Sequence, residues 1–231
     1  MKKILRGIRY IIIPILNRSV FRRLGIKVVA YSILPVSESL FSKHDFFSLI
    51  FEDLKNRNIE GDVIECGFGY GRSFSILSYL ARKHSRKICS FDSFTGFPHV
   101  NKNDKSSRNP KVGQFNARSL KEAQEFANSL KLQEDKDYTI QKVIFDEKAK
   151  NPIPNTKIAL LFIDLDLYIG YKYSLKLFWD QVSSGGIVAF DEYNEVKWPG
   201  ATLAINEFLS SMGYGTTDLI QLNNKYYLIK K

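Results

Sequence analysis

The sequence predicts an α/β fold: one open, mostly parallel sheet with helices on both faces. Two observations carry this prediction. Apolar runs of strand length alternate with helix-length segments, as in strand–helix–strand units. Several of these runs end in a glycine-rich turn or in carboxylates, and such ends of parallel strands meet at the edge where ligands bind. The length of 231 residues fits one domain of this kind.

The net charge of +10 is concentrated at the amino terminus. Eight Lys and Arg residues and no acid precede Glu38. The rest of the chain has 26 basic and 24 acidic residues, which is a net charge of only +2. A nearly neutral body disfavours nucleic acid as a partner.

Residues 1–37 combine apolar and basic positions at helical spacing, interrupted by Pro14. The apolar run is too short to span a bilayer, and no small-residue cleavage site follows Leu16. Three alternatives stay open for this segment. It packs on the folded body or on a second subunit of a homo-oligomer, it lies as a helix on an anionic membrane surface, or it is a cleaved signal.

The two cysteines, Cys66 and Cys89, fall inside predicted buried strands. No spacing of Cys and His residues suggests zinc, so we expect free thiols. Free thiols favour a reducing compartment. We therefore expect a cytoplasmic protein, with peripheral contact at the inner face of a membrane as the alternative that the basic segment raises.

Residues 38–231 are predicted to form a single domain. Three- and four-residue spacing of apolar residues predicts its helices, and short apolar runs predict its strands. Residues 98–116 are polar and basic, which predicts a mobile lid over a ligand, with plain surface disorder as the alternative. In the first two thirds of the chain the predicted elements are a helix over Ser37–Asn56, a strand over Asp62–Cys66, a helix over Ser73–Lys83, a strand over Lys87–Phe91, a helix over Ala117–Leu130 and a strand over Tyr138–Val143.

A glycine-rich turn follows the first strand, with glycines at positions 67, 69 and 71. Glycine lets the main chain turn tightly and lets a cofactor approach it closely. A dinucleotide fingerprint would need a third glycine where Arg72 stands. The spacing found, GxGxG, is typical of class I methyltransferases, which bind S-adenosylmethionine (SAM). A turn that serves only to reverse the chain is the alternative.

Asp92 strengthens the interpretation of the glycine turn as a cofactor site. It stands at the carboxyl end of the second predicted strand, 25 positions after Gly67. An acid at about this place hydrogen-bonds a ribose diol in nucleotide-binding α/β folds. Strand, glycine turn, helix and acid together favour a cofactor that contains a ribose.

Carboxylates also end two later strands. A strand over Ile158–Ile163 ends at Asp164, a helix over Gly170–Val182 follows, and a strand over Ile187–Phe190 ends at the pair Asp191 and Glu192. In a parallel sheet, these three acids converge. Clustered carboxylates repel one another unless a cation lies between them, and hard oxygen ligands favour Mg²⁺. Asp166 either points to the opposite side by strand alternation, if the strand continues, or starts the next helix, and we expect a structural role for it.

The carboxyl-terminal part predicts a helix over Ala201–Met212 and two strands joined at Asn223-Asn224. Asparagine pairs between β-rich runs are typical of hairpins. An antiparallel hairpin added to a parallel sheet distinguishes the class I methyltransferase fold from a dehydrogenase fold.

Most of the chain, from about Gly61 to Phe208, resembles the macrocin and mycinamicin type of sugar O-methyltransferase, a family that depends on SAM and Mg²⁺. Four blocks carry the resemblance: Gly61 to Gly67 (GDVIECG), Phe91 to Pro98 (FDSFTGFP), Ile163 to Tyr168 (IDLDLY), and Gly185-Gly186 through Asp191-Glu192-Tyr193 to Trp198 and Gly200. Residues 1–37 lie outside the matched blocks and inherit nothing from the family.

The resemblance implies roles for individual residues. It implies metal ligation by Asp164, Asp191 and Glu192, with Asp164 also acting as the base, and a sugar-containing small molecule or glycan precursor as the methyl acceptor. Glu192 stands where the family usually has Asp. The residues implied for SAM binding are Glu65, Gly67, Ser73, Asp92 and Ser93, to which the glycine turn adds Gly69 and Gly71.

Two other functions stay open. The sequence Asp164-Leu165-Asp166 matches the DxD metal motif of nucleotide-sugar glycosyltransferases. A non-catalytic SAM-fold protein that acts at a membrane or in an assembly through its basic amino terminus is the other alternative.

Overall fold

The computed structural model describes residues 38–231, with side chains from Asp45 onward. The predictions made for residues 1–37, which concern packing on the body or on a second subunit, membrane contact and a cleaved signal, lie outside the described residues. In the part of the chain from residue 38 on, no helix is both long enough and apolar enough to cross a membrane.

Seven strands form one sheet in the order β3-β2-β1-β4-β5-β7-β6. The pairings among β1 to β5 are parallel, whereas β7 pairs antiparallel with both β5 and β6. The mostly parallel sheet and its carboxyl-terminal hairpin are therefore confirmed. The strands are β1 Asp62–Cys66, β2 Ile88–Asp92, β3 Tyr138–Lys142, β4 Ile158–Ile163, β5 Val182–Phe190, β6 Ile220–Leu222 and β7 Lys225–Ile229.

The helices lie where the sequence predicts them, and their ends shift by at most four residues. They are α1 Glu38–Asn56, α2 Arg72–Lys83, α3 Leu120–Ser129, α4 Tyr168–Phe178 and α5 Pro199–Ser211. The 3₁₀ turn Trp179–Gln181 follows α4 directly. Helices cover both faces of the sheet: Phe47 of α1 packs against Phe162 with ring centroids 4.9 Å apart, and Phe178 of α4 stacks on Phe91 at 5.6 Å.

Strand β5 begins at Val182, five residues before the predicted start at Ile187. The added residues include two serines and two glycines, which have low strand propensity. Lys230, the residue after β7, pairs with their backbone: the Gly185 N–H donates to the Lys230 carbonyl, and the Lys230 N–H donates to the Gly186 carbonyl. Tertiary pairing therefore overrides local propensity here.

Both cysteines are free and buried, as predicted. Burial raises the pKa of the Cys66 thiol well above its ordinary value, and it raises the pKa of Cys89 to about 11. Thiols with such high pKa values are not nucleophilic at neutral pH. We therefore assign both to the core.

Candidate active site

The glycine turn and the first acidic strand end meet at the carboxyl edge of the sheet. Gly67 has a φ of 102°, and a Cβ atom there would lie 1.9 Å from the carbonyl oxygen of Asp164. Two main-chain hydrogen bonds fix this approach: the Gly67 N–H donates to Phe91 and the Asp164 N–H donates to Cys66. The candidate cofactor loop and the candidate acid cluster are thus in contact through the main chains of Gly67 and Asp164.

Asp92 organises the glycine turn through its carboxylate. One oxygen accepts from the N–H groups of Phe68 at 2.8 Å and Gly69 at 3.1 Å, and the other accepts from the N–H of Phe94 at 2.8 Å. Two carboxylate oxygens offer about four acceptor positions. The predicted ribose contact would therefore use the remaining capacity or replace one of these bonds.

The other predicted cofactor residues surround this turn. Gly69 has a φ of 49° and no heavy atom within 4 Å of the Cβ position, so the space beside it is open. Gly71 has a φ of 76°, and a Cβ atom there would lie 2.7 Å from the Phe126 ring. Ser73 is buried near the start of α2, and the hydroxyl of the buried Ser93 donates to the Gly96 carbonyl at 2.6 Å.

Glu65 is completely buried in β1, two residues before the glycine turn. The hydroxyl of Ser90 on the neighbouring strand donates to its carboxylate at 2.6 Å. This contact fixes the side chain within the sheet layer. The SAM-binding role that the resemblance implies for Glu65 stays a prediction.

Three carboxylates gather at the ends of β4 and β5. Asp164, Asp166 and Glu192 each offer an oxygen, and these oxygens lie within 4.8 Å of one another. The strand ends at Ile163, and Asp166 adopts a left-handed φ of 61°. Because the strand does not continue to Asp166, strand alternation does not set the direction of its side chain. The side chain lies in the acid cluster, and the expected opposite orientation is wrong.

The structure places the carboxylate of Asp191 differently. The Lys225 ammonium lies 3.0 Å from an Asp191 carboxylate oxygen, and it also donates to the Asp191 carbonyl at 2.7 Å. Both side chains are only 15% exposed. Asp191 is thus next to the cluster but engaged by β7, which the sequence pattern did not indicate.

Glu192 is the buried member of the acid cluster. The hydroxyl of Tyr171, from the first turns of α4, lies 2.5 Å from its carboxylate. Sequence reasoning missed Tyr171, because nothing local distinguishes it from a core aromatic residue. Burial is the largest cause that raises the pKa of Glu192 well above its ordinary value, and three neighbouring carboxylates add to the rise: Asp164, Asp191 and Asp166.

This donor set fits a divalent cation. Its oxygens are hard ligands close enough to share one ion, which is the ligand type of Mg²⁺. Burial raises the pKa of Glu192 most, and the neighbouring carboxylates raise it further; a bound cation would offset the repulsion among these acids. The cluster lies beside the open glycine turn, where a cofactor and a second substrate would meet.

Residues 98–116, predicted as a mobile lid, are docked against the edge of the sheet. Asp104 is buried, and its carboxylate accepts from the Tyr168 N–H at the start of α4 at 2.7 Å. Phe115 contacts Phe97 and Trp198, with ring centroids 5.2 Å and 6.1 Å away. The segment therefore spans from the end of β2 to the loop after β5. Its mobility stays a prediction.

A model of the macrocin O-methyltransferase (TylF) family matches residues 42–226, which is most of the chain. The chain belongs to this family. The resemblance noted from the four sequence blocks is thereby confirmed, and the chain is a SAM-dependent O-methyltransferase. Membership of the macrocin O-methyltransferase family also disfavours the glycosyltransferase interpretation of Asp164 and Asp166. A comparison with curated proteins finds no match.

Solved structures confirm the class I methyltransferase fold for this member of the macrocin O-methyltransferase family. The calicheamicin methyltransferase CalS11 aligns with a TM-score of 0.71 and 22% identity over 94% of this chain and 89% of its own. The O-methyltransferase NovP aligns with a TM-score of 0.67 and 21% identity over 89% and 84%. A second CalS11 structure, described as an apo TDP-rhamnose 3'-O-methyltransferase, gives 0.62 and 22% over 98% and 92%.

Proposed function

We propose that this enzyme transfers a methyl group from SAM to a hydroxyl of a sugar, on a small molecule or a glycan precursor. The observation that carries the proposal is the close approach of Gly67 to Asp164, which joins an open glycine turn to a cluster of acids. Solved relatives described as a calicheamicin methyltransferase and a TDP-rhamnose 3'-O-methyltransferase support a sugar acceptor.

The acid cluster would hold a divalent cation, and Mg²⁺ suits its oxygen ligands. Asp164 and Glu192 are the ligands on which the family pattern and the geometry agree. The family pattern gives Asp191 as the third ligand, whereas the distances add Asp166. When bound, the cation would lower the pKa of the acceptor hydroxyl, which is otherwise a poor nucleophile at neutral pH.

The protein supplies the base and the alignment of the reactants. A carboxylate oxygen of Asp164 takes the hydroxyl proton as the acceptor oxygen attacks the methyl carbon of SAM. When bound, SAM would supply the methyl group, and its sulfur would keep the electron pair of the broken carbon–sulfur bond. Gly67 holds the main chain of Asp164 against the glycine turn, and this contact would keep the base at a defined distance from a methyl donor bound along the turn.

The cofactor would lie along the glycine turn. Gly69 leaves open space for the approach of SAM to the main chain, and Asp92 would bind the ribose diol. The remaining predicted contacts, Glu65, Gly71, Ser73 and Ser93, lie in or around the same turn.

Methyl transfer from labelled SAM to a panel of sugars tests this proposal. We expect turnover on sugar hydroxyls that EDTA abolishes and added Mg²⁺ restores, with SAM affinity by calorimetry unchanged by EDTA. Asp191→Asn and Asp166→Asn, assayed for Mn²⁺ affinity, decide which acid is the third ligand. Methyl transfer that is insensitive to EDTA would contradict the metal role, and binding of UDP in place of SAM would contradict the cofactor.

A further inference from the structure

The docked segment and the two residues after it carry an unbalanced positive charge. Residues 98–118 contain five Lys and Arg residues and one acid, Asp104. The body of the chain beyond residue 37 has a net charge of only +2, so this segment is a local concentration of charge. The five cations are Lys102, Lys105, Arg108, Lys111 and Arg118.

The single acid of the segment does not neutralise these cations at the surface. Asp104 is 1% exposed and accepts from the N–H groups of Asn101 and Tyr168, both at 2.7 Å. Its role is to dock the segment onto the start of α4. Tyr168 is two residues after Asp166, so the docked segment lies next to the acid cluster.

Two contacts bring together three cations, two from the docked segment and one from the loop after β5. The Ser106 hydroxyl donates to the Lys197 carbonyl at 2.9 Å, which places Lys105 and Lys197 on adjoining stretches of chain. The Arg108 guanidinium lies over the ring of Trp198, 5.8 Å from its centroid. Lys105, Arg108 and Lys197 are all exposed.

These three cations have no ion-pair partner among residues 45–231. One exposed acid, Glu195, lies in the same loop as Lys197 and leaves the group positive overall. Stacking on Trp198 restricts Arg108 and leaves its planar fork of N–H donors available. Such a fork matches the oxygens of a phosphate group.

The candidate active site thus has two charged parts. The acids Asp164, Asp166 and Glu192 form what we call the acid floor. The three exposed cations form what we call the rim. We propose that Lys105, Arg108 and Lys197 bind a phosphate or diphosphate group on the acceptor, while the acceptor's sugar hydroxyl lies at the acids. The acceptor is then a sugar phosphate or sugar diphosphate. This inference rests on the proposed function for the role of the acid floor, whereas the phosphate contact rests on the rim alone.

A glycosyl diphosphate can come from two sources, a nucleotide sugar or a lipid-linked sugar. The shared chemistry is the diphosphate, which both sources present beside the first carbon of the sugar. Recognition by the rim does not depend on which group lies beyond the diphosphate. The ligands of the binding experiment therefore separate the sources.

Calorimetry on the full chain tests the inference without methyl transfer. The protein is saturated with S-adenosylhomocysteine and kept in EDTA, so that pyrophosphate cannot bind the acid floor through a cation. Pyrophosphate, TDP and vesicles containing a polyprenyl diphosphate are titrated separately. The triple variant Lys105→Gln, Arg108→Gln, Lys197→Gln is compared with a control that removes three exposed charges elsewhere, Lys83→Gln, Lys121→Gln, Lys176→Gln.

We expect the rim variant to bind pyrophosphate at least tenfold more weakly than the control, and to lose most of the salt dependence of binding. Arg108→Lys keeps the charge and should retain more affinity than Arg108→Gln. Tighter binding of TDP than of pyrophosphate assigns the nucleotide source, and tighter binding of the vesicles assigns the lipid source. Equal affinity of rim variant and control for pyrophosphate would overturn the inference.

Methyl transfer then separates this inference from the proposed function. If a sugar diphosphate is methylated and the rim variant raises its KM at least tenfold with little change in kcat, both stand. If neutral sugars are methylated and the rim variant leaves every KM unchanged, the proposed function stands and the inference fails. If no sugar is methylated, the proposed function fails, and the pyrophosphate titration still decides the inference.

Discussion

The two halves of the candidate active site are held in place by different kinds of contact. In the cofactor half, the Asp92 carboxylate accepts from three main-chain N–H groups, all within residues 68–94. In the acid half, Glu192 is positioned by the hydroxyl of Tyr171, and Asp191 pairs with Lys225 of the last strand. One half therefore depends on contacts with the main chain nearby in sequence, and the other depends on side chains from elements distant in the chain.

The largest effect should come from the backbone contact that joins the halves. Gly67→Ala would place a Cβ 1.9 Å from the Asp164 carbonyl oxygen, at a φ of 102° that alanine adopts only with strain. We expect the free energy of unfolding to fall by at least about 3 kcal/mol, with loss of SAM binding and turnover. Thermal unfolding and calorimetry with SAM measure both.

Gly69→Ala is the matched control for this substitution. Its φ is 49°, and no heavy atom lies within 4 Å of the added Cβ, so only the left-handed conformation costs energy, about 1 kcal/mol. A similar loss of stability in both variants would show that the Gly67 contact does not join the two halves.

A smaller effect should follow from loss of the hydroxyl under the acids. Tyr171→Phe removes the bond to Glu192, so Glu192 loses its orientation while the aromatic packing stays. Outer contacts of this kind change metal affinity by about 10- to 100-fold. Mn²⁺ affinity, followed by electron paramagnetic resonance, should fall within this range while SAM affinity stays constant.

Tyr168→Phe serves as the control, since its hydroxyl is bonded to Glu207 at 2.7 Å and not to the acid cluster. We expect Mn²⁺ affinity close to that of the unmodified protein. If both variants weaken Mn²⁺ equally, the Tyr171 hydroxyl does not position Glu192 specifically.

The smallest effect should come from the pair that holds Asp191. Lys225→Gln removes a contact between side chains that are each 15% exposed, and we expect the free energy of unfolding to fall by about 1 kcal/mol. Lys231→Gln removes a more exposed pair with Asp218 and should cost less stability than Lys225→Gln. Urea unfolding distinguishes the two values, and equal losses would contradict the tight placement of Asp191.

The sequence located the glycine turn and Asp92 more completely than it located the arrangement of the acids. Glycine spacing and the acid at the end of β2 are local patterns, and the turn and strand that they predict are formed within residues 67–94. The orientation of Asp166 depends on where β4 ends and on one left-handed residue, which the alternation rule does not contain. The partners Tyr171 and Lys225 come from elements distant in the chain, so no short pattern could indicate them.

The docking of residues 98–116 could not be predicted from a local sequence pattern either. Their polar composition indicates a loop, but the buried carboxylate of Asp104 finds its donor 64 positions later, at Tyr168. A contact of that range requires the assembled sheet. The family resemblance supplied the sugar acceptor and the metal as expectations, and it did not indicate the charge of the rim.

In the proposed mechanism, the Asp164 carboxylate takes the acceptor proton, and SAM binding does not require that carboxylate. The direct measurement is turnover and SAM affinity of Asp164→Asn, with Asp180→Asn, an exposed aspartate on the 3₁₀ turn after α4, as the control. We predict that turnover falls by about 10³-fold or more in Asp164→Asn while SAM affinity stays within about threefold of the unmodified protein. Undiminished turnover in Asp164→Asn would contradict the account.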